Sequence, residues 1–314
     1  MPTTTLRRAA ATSLTALLGG AAALALPATA QAAPAPAAPR AAAAPAPAAG
    51  GPTIIRRPVV IAHRGAAGQA PENTLAAVDR ADALGFDWVE NDVQRTKDGE
   101  LVIVHDDSLA RTTNVEELFP DRAPWKIKDF TAAEIRTLDA GSWFGPAFAG
   151  ARVPTLKEYV NRVDRNHQKM LMEVKNPELY PGIEKNIADV LDQEGWLDRS
   201  HVLYKLVMQS FSADSVRTFH GLRPEVTTGF LGTPALADLP QYAAFTDQIN
   251  PQHGTINAAF VKAVHSLRGP QGKVLQVNTW TVDDAVNTKK VWDYKVDGII
   301  SNKPDVVREA MRQP

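Results

Sequence analysis

The stretch AHRGAAGQAPENT, residues 62–74, decides how this chain is read. An apolar run, Val59-Val60-Ile61-Ala62, stops at His63-Arg64-Gly65, crosses small residues and reaches Pro71-Glu72-Asn73-Thr74. A strand ending in two groups that can carry positive charge is either fraying into water or forming one wall of an anion site. Gly65 and its small neighbours let the loop turn close to a ligand. Asn73 has the chemistry to cap a helix over residues 74–84.

Outward from this stretch, short Val/Ile/Leu-rich runs alternate with helical patterns, as in parallel βα units. The candidate strands are residues 59–62, 87–93, 101–105, 169–174, 202–210, 226–231, 274–279 and 298–301, with 248–251 as a further short extended piece. Helical patterns occupy residues 155–161, 181–194, 212–220, 257–267, 283–294 and 304–311. Eight strands with helices between them predict an α/β fold, a (β/α)8 TIM barrel. The alternative, a doubly wound open sheet, lacks its mark, since no strand runs into a dinucleotide-binding glycine fingerprint. Residues 107–153 are too long for an ordinary βα connection and read as a small insertion after the third strand. Within it Thr131 and Glu134 have capping-box spacing.

Polar groups recur where these strands end. Residues i and i+2 of a strand share a face, so Glu90 and Asp92 point the same way, as do Glu173 and Lys175. His63-Arg64 ends the first strand and His105-Asp106 the third. In a barrel such C-terminal ends converge on one mouth. Each residue taken singly is a plausible solvated strand end or salt bridge; the recurrence is what points to a site. Glu90, Asp92 and Glu173 offer three hard oxygen donors in a chain with no cysteine, which suits Ca²⁺ or Mg²⁺ and excludes thiolate zinc. Such a cation, with Arg64 and Lys175, removes the repulsion between the carboxylates. Arg64 presents a planar fork to phosphate oxygens and Lys175 a point charge. Histidine as a residue type ordinarily titrates near neutrality, which makes His63 and His105 candidates for general acid–base work. A cation, Arg, Lys and two His make the inventory of a phosphodiesterase.

These residues resemble the glycerophosphodiester phosphodiesterase family of (β/α)8 barrels. The resemblance starts at AHRG…PENT (62–74) and runs through GFDWVENDVQRTKDGELVIVHDDSLARTT (85–113), LDAGSWF (138–144) and RVPTLKEY (152–159). It continues in LMEVK (171–175), MQSF (208–211), VNTWTV (277–282) and DGIISNKPD (297–305), nearly the whole domain in order. It implies His63 and His105 as the acid–base pair and Arg64 and Lys175 as phosphate-facing residues. It implies Glu90, Asp92 and Glu173 as ligands of one Ca²⁺ or Mg²⁺. Gln209 is placed in the pocket lining, and Trp280 either there or in the core beneath it. Asn302 is either a late strand residue or a cap before Pro304, and Glu72 and Asn73 support the first loop. The implied reaction converts a small glycerophosphodiester into sn-glycerol 3-phosphate and an alcohol, with His63 provisionally the base and His105 the acid. Two alternatives stay open: phospholipase D-type action on lysophospholipid or sphingomyelin, and a non-catalytic barrel binding phosphate or wall polymer. Asn91 departs from the pattern, standing at an outward position that is often apolar. His167, His201, His220, His253 and His265 fall in loops or helices without a family motif.

The net charge is −1, from 34 Lys+Arg and 35 Asp+Glu, which gives no electrostatic case for nucleic acid. Residues 1–32 read as a secretory signal: Arg7-Arg8, an apolar stretch over 9–26, then Ala28-Thr29-Ala30-Gln31-Ala32. The alternative is a retained membrane anchor, which the Ala-x-Ala site argues against. The context of Arg7-Arg8 matches twin-arginine export poorly, so the Sec route is expected. Residues 33–52, almost pure Ala and Pro, form a semi-rigid linker, and 53–314 form the barrel domain of a secreted protein with no stable membrane insertion. Mass spectrometry of the exported protein is expected to find an N-terminus at Gln31 or Ala33; a chain retaining residues 1–30 contradicts the signal.

Overall fold

The computed structural model describes residues 57–312, so the signal and linker read above lie outside the described residues. Eight strands run parallel: β1 (Val59–Ala62), β2 (Trp88–Arg95), β4 (Lys169–Val174), β5 (Leu206–Ser210), β6 (Thr227–Leu231), β7 (Gln248–Asn250), β8 (Gln276–Thr279) and β9 (Gly298–Ser301). Each pairs with the next, and β1 is hydrogen-bonded to both β9 and β2, which closes the sheet into the expected (β/α)8 barrel. Helices return the chain between most strands, among them Leu75–Ala83, Leu156–Arg165, Ile183–Gln193, Ala213–Leu222, Ala258–His265 and Ala285–Asp293. Their starts follow local chemistry. Thr155 and Glu158 form a reciprocal capping box, and Ser212, Asn257 and Asp284 each accept from a backbone N–H of the first turn.

Four sequence expectations are corrected. The run 101–105 is not a barrel strand. Its core, β3 (Leu101–Ile103), pairs antiparallel with the far end of β2, Val93 opposite Ile103. Asp98-Gly99 turns the chain there, Gly99 at φ 94°, and the Thr96 N–H donates to the Glu100 carbonyl at 2.9 Å. The eighth barrel strand is β7, the short piece that the pattern left as a supplement. In 202–210 the first part is the end of a helix, Arg199–Tyr204, which Asp198 caps by accepting from the Ser200 and His201 N–H groups; β5 starts at Leu206. Asn73 is not the cap of the first helix. Thr74 accepts from the Ala77 N–H, while Asn73 takes a left-handed φ of 59° and turns its amide inward.

The core is layered as a barrel demands. Ile61, Leu171, Val207 and Ile300 meet inside it. Val89, Val93, Met170 and Met172 face the helices, where Tyr159, Val160 and Ile187 cover them. The insertion has its own core of Leu109, Val115, Ile127, Phe130, Ile135 and Leu138, and its Thr131–Glu134 capping box forms as expected. Among the described residues, no helix is long and apolar enough to cross a membrane.

Asn91 faces outward from β2, fully buried, with its amide nitrogen against the Tyr159 hydroxyl and its amide oxygen without a hydrogen-bond partner. The Tyr159 hydroxyl already donates to the Glu90 carbonyl at 3.2 Å. A buried amide oxygen left unpartnered costs free energy that an apolar group does not, so Asn91→Val is expected to stabilise the fold by about 1 kcal/mol. Urea unfolding checks this, with unchanged turnover as the companion result.

Candidate active site

The barrel mouth is built by strand ends whose geometry follows from register. Asp92 is paired with Glu173, and Glu173 with Gln209, so three adjacent strands place polar side chains on the inner rim side by side. His63 follows β1, and Lys175 follows β4. His105 arrives by another route: β2 projects past the rim, and the hairpin brings the chain back until the Val104 N–H donates to the Asp92 carbonyl at 3.0 Å. The Gln94 amide then pins the next turn, donating to the carbonyls of Val104, His105 and Asp106 at 2.8, 3.1 and 2.6 Å. All nine residues singled out from the sequence therefore converge. Except for Asp92, buried just behind, they line one pocket of about 410 Å³ that also includes Phe211, Leu231, Thr281 and Ile300.

Glu90, Asp92 and Glu173 are buried, and each offers an oxygen within 4.8 Å of the others. Burial, then Asp92 and Glu173, push the Glu90 carboxyl well above its ordinary pKa. Burial and Asp92 raise Glu173 to about 8, against the pull of Lys175. Burial opposes charge on Asp92 as well, but Arg64 above all outweighs it, and this carboxyl titrates below its usual range. Asp92 Oδ1 is buried without a hydrogen-bond partner. An unbonded oxygen inside an all-carboxylate cluster, whose members resist ionising together, fits a hard divalent cation with oxygen preference.

Cationic groups frame the cluster. The Arg64 N–H donates to Glu90 Oε2 at 2.9 Å, its Nε lies 3.4 Å from Asp92 Oδ2, and its Nη1 donates to Glu72 at 2.9 Å. Lys175 Nζ donates to Glu173 at 2.9 Å and lies 5.3 Å from the Phe211 ring centroid. Arg64 holds a left-handed φ of 53°, and a Cβ on the next residue, Gly65, would stand 2.6 Å from the Ala77 backbone. That turn is what brings Arg64 back over the carboxylates. Asn73, misread as a cap, donates from its amide to Asp92 Oδ2 at 2.8 Å.

The two histidines are held differently. His63 Nδ1 donates to Asn302 Oδ1 at 2.7 Å, and the Asn302 amide nitrogen donates to Asp283 at 2.9 Å, which fixes the Asn302 orientation. Asn302 is thus a partner of His63, and the helix after it has no side-chain cap. With Nδ1 protonated, His63 turns a bare Nε2 toward the pocket, 3.9 Å from Glu90. Burial, then the Arg64 charge, lower its pKa to about 4, so the ring is neutral at pH 7. His105 Nδ1 instead pairs with the Asp106 carboxylate at 2.7 Å. Trp280 is half-buried at the rim. Its indole N–H donates to the Asn250 carbonyl at 2.8 Å, and its ring meets Phe211 edge-on at 5.4 Å.

Arg111, from the insertion, was missed in the sequence. It donates to both oxygens of Asp106 at 2.6 and 3.1 Å and to both of Glu72 at 2.9 and 2.7 Å. Asp106 holds His105 and Glu72 holds Arg64, so one guanidinium ties the two arms of the site together. One partner, Asp106, lies five residues upstream, but the bridge is made only by Glu72, which comes from the loop after β1, 39 residues away.

Fold and mouth together define a barrel hydrolase that acts on phosphate esters. Residues 63–306 match the glycerophosphoryl diester phosphodiesterase family. Among curated relatives, the putative glycerophosphodiester phosphodiesterase YhdW of Bacillus subtilis is 35% identical over 255 residues, covering 79% of this chain and 96% of its own. A glycerophosphodiester phosphodiesterase of Caldanaerobacter subterraneus is 34% identical over 257 residues, covering 81% and 98%. An Oleispira antarctica phosphodiesterase, solved in complex with the product sn-glycerol-3-phosphate, superposes with a TM-score of 0.71 at 28% identity, covering 82% of this chain and 98% of that one. The chain belongs to the glycerophosphoryl diester phosphodiesterase family and is an enzyme, a phosphoric diester hydrolase.

Loss of the Arg111 bridge displaces both arms by fractions of an ångström, so Arg111→Ala is expected to lower kcat/KM about tenfold or more. Steady-state kinetics check this. Partial recovery with added guanidinium is the accompanying result, because the missing group is a planar double donor.

Proposed function

We propose that this enzyme hydrolyses glycerophosphodiesters to sn-glycerol 3-phosphate and an alcohol, with His63 as general base and His105 as general acid. The observation that carries the reading is the pairing of a neutral His63, its free Nε2 facing the pocket, with a second histidine held by a carboxylate across the same cavity. His63 Nε2 accepts the proton of the attacking oxygen, either water or the glycerol hydroxyl beside the phosphate. His105 delivers a proton to the departing alkoxide oxygen, its ring held in place through Nδ1 by Asp106. Arg64 and Lys175 face the phosphate oxygens.

Glu90, Asp92 and Glu173 would hold the divalent cation, Ca²⁺ or Mg²⁺, in the way the unbonded Asp92 Oδ1 invites. When bound, it offsets phosphate charge and stabilises the charge that develops in the transition state. The family's names and the product found in the Oleispira relative support the substrate class. Phospholipase D-type action on lysophospholipid is less well supported, because the apolar lining is limited to Phe211, Leu231, Trp280 and Ile300. The intact site argues against a non-catalytic barrel. Secretion, read from residues 1–32, completes the proposal and puts the substrate outside the cytoplasm.

The test is glycerol 3-phosphate release from glycerophosphocholine. Wild type is expected to lose activity in chelator and regain it with Ca²⁺ or Mg²⁺. His63→Ala is expected to fall by roughly 10²- to 10⁴-fold, the usual worth of a positioned base. Chelator-insensitive turnover would sink the metal assignment. Binding without turnover in every metal condition would sink the enzymatic one.

A further inference from the structure

The interior of the barrel is divided. On β1, β4 and β5 it is aliphatic beneath the mouth, whereas β7 and β8 fill their share with amides: Gln248, Asn250, Gln276 and Asn278. These amides are hydrogen-bonded to one another. Asn278 Nδ2 donates to Gln248 Oε1 at 2.7 Å, and Gln248 Nε2 donates to Gln276 Oε1 at 3.2 Å. Asn250 Nδ2 donates to Gln209 Oε1 at 2.9 Å and reaches Gln248 Oε1 at 3.4 Å.

Gln209 stands on β5 and Asn250 on β7, so their bond crosses β6. It can do so because the β6 residue between them is Gly229. A Cβ there would lie 2.7 Å from Asn250 Nδ2 and 3.5 Å from Gln209 Cβ. Gly298 on β9 makes the same allowance, since its Cβ would stand 2.3 Å from Asn278 Oδ1. Two strand positions have given up side chains to admit this ladder, at a cost in strand stability.

The ladder has a direction, set at one end by a group that cannot be reversed. The backbone N–H of Asn278 is donor-only, and it donates to Asn250 Oδ1 at 3.3 Å. Asn250 must then offer Nδ2 to Gln209, and Gln209 must answer with Oε1. This leaves Gln209 Nε2 facing the pocket, where it has no hydrogen-bond partner among the described residues. The mouth therefore carries one neutral donor whose polarity is fixed in advance.

Its place says what it meets. Phosphate charge is answered by Arg64 and Lys175, on the arc of the rim that runs from β1 to β4 and ends beside the strand of Gln209. Around the rim from Gln209 the lining turns apolar, with Leu231, Trp280 and Ile300; the Thr281 hydroxyl there can rotate to donate or accept. A glycerol unit leaving the phosphate toward this wall packs its carbons on the apolar side and brings its terminal hydroxyl to Gln209. We infer that Gln209 is a specificity-determining donor to the terminal hydroxyl of the glycerol unit, with Asn250 as the positioning residue that fixes its orientation. This rests on the reading of the site as a glycerophosphodiester hydrolase.

The experiment compares kcat/KM for a glycerophosphodiester and for its analogue lacking the terminal hydroxyl, which keeps the hydroxyl next to the phosphate. A donor left unpaired in the pocket penalises the analogue, so wild type is expected to prefer the glycerol diester by at least about tenfold. Gln209→Met removes the donor without adding charge and is expected to bring the ratio near one, because it removes both the bond to the glycerol diester and the penalty on the analogue. Asn250→Ala frees Gln209 to turn over and is expected to lower the ratio without touching substrate. Because both diesters are assayed on one preparation, the ratio is independent of how much enzyme is folded. Equal use of the two by wild type, or an unchanged ratio in Gln209→Met, overturns the inference and leaves the reaction intact. An unchanged ratio in Asn250→Ala overturns the role of the ladder. Turnover of neither diester by wild type overturns the functional reading with it. Should Asn250→Ala yield no folded protein, the wild-type and Gln209→Met ratios decide the matter.

Discussion

Three carboxylates buried with oxygens inside 4.8 Å of one another are the constraint around which this mouth is organised. Two full charges at that separation repel by roughly 3.5 kcal/mol at an effective dielectric near 20. The surrounding groups answer that repulsion. Arg64 bends back through a left-handed turn to reach Asp92, Lys175 pairs with Glu173, and Asn73 gives its amide to Asp92. Even so, Glu90 and Glu173 remain displaced toward their protonated forms. The site is thus a cluster of carboxylates that resist ionising together, which a hard divalent cation would relieve.

Orientation is the second theme. His63 takes its tautomer from a neutral amide fixed by Asp283, and His105 takes its own from a carboxylate fixed by Arg111. Two chemically identical side chains are thereby given unlike environments. Arg111 is half-exposed, and an isolated exposed pair contributes little. Here the guanidinium bonds both oxygens of two carboxylates, and the geometry it imposes matters more than the stability it adds. The insertion, with a core of its own, serves as the rigid arm that delivers it.

The barrel strands explain where reading the sequence worked and where it did not. β1, β4 and β9 carry dense apolar runs, and β1, β2 and β4 lead into ionisable groups, which makes these strands legible. β3 is apolar too, and its pairing was misjudged although Asp98-Gly99 gave a hairpin signal. β7 was undervalued for the opposite reason: it is three residues long and bears Gln248 and Asn250, which suit a strand only when other amides wait inside the barrel. The region 202–210 mixes a helix end and a strand that share apolar content, and Asp198 as a cap marks their boundary.

The sequence by itself determined the fold class, the family resemblance and the nine residues that meet at the mouth. Strand periodicity and the chemistry at strand ends are local properties, and local order along the chain preserves them. Only the tertiary structure decided the partners: Asn302 on His63, Arg111 between Asp106 and Glu72, Asn73 on Asp92, and Asn250 reaching Gln209 over a glycine. All of those bonds but Arg111 to Asp106 join residues well separated in sequence, and one joins strands that are not neighbours. No periodicity records them, because their geometry exists only once the sheet has closed.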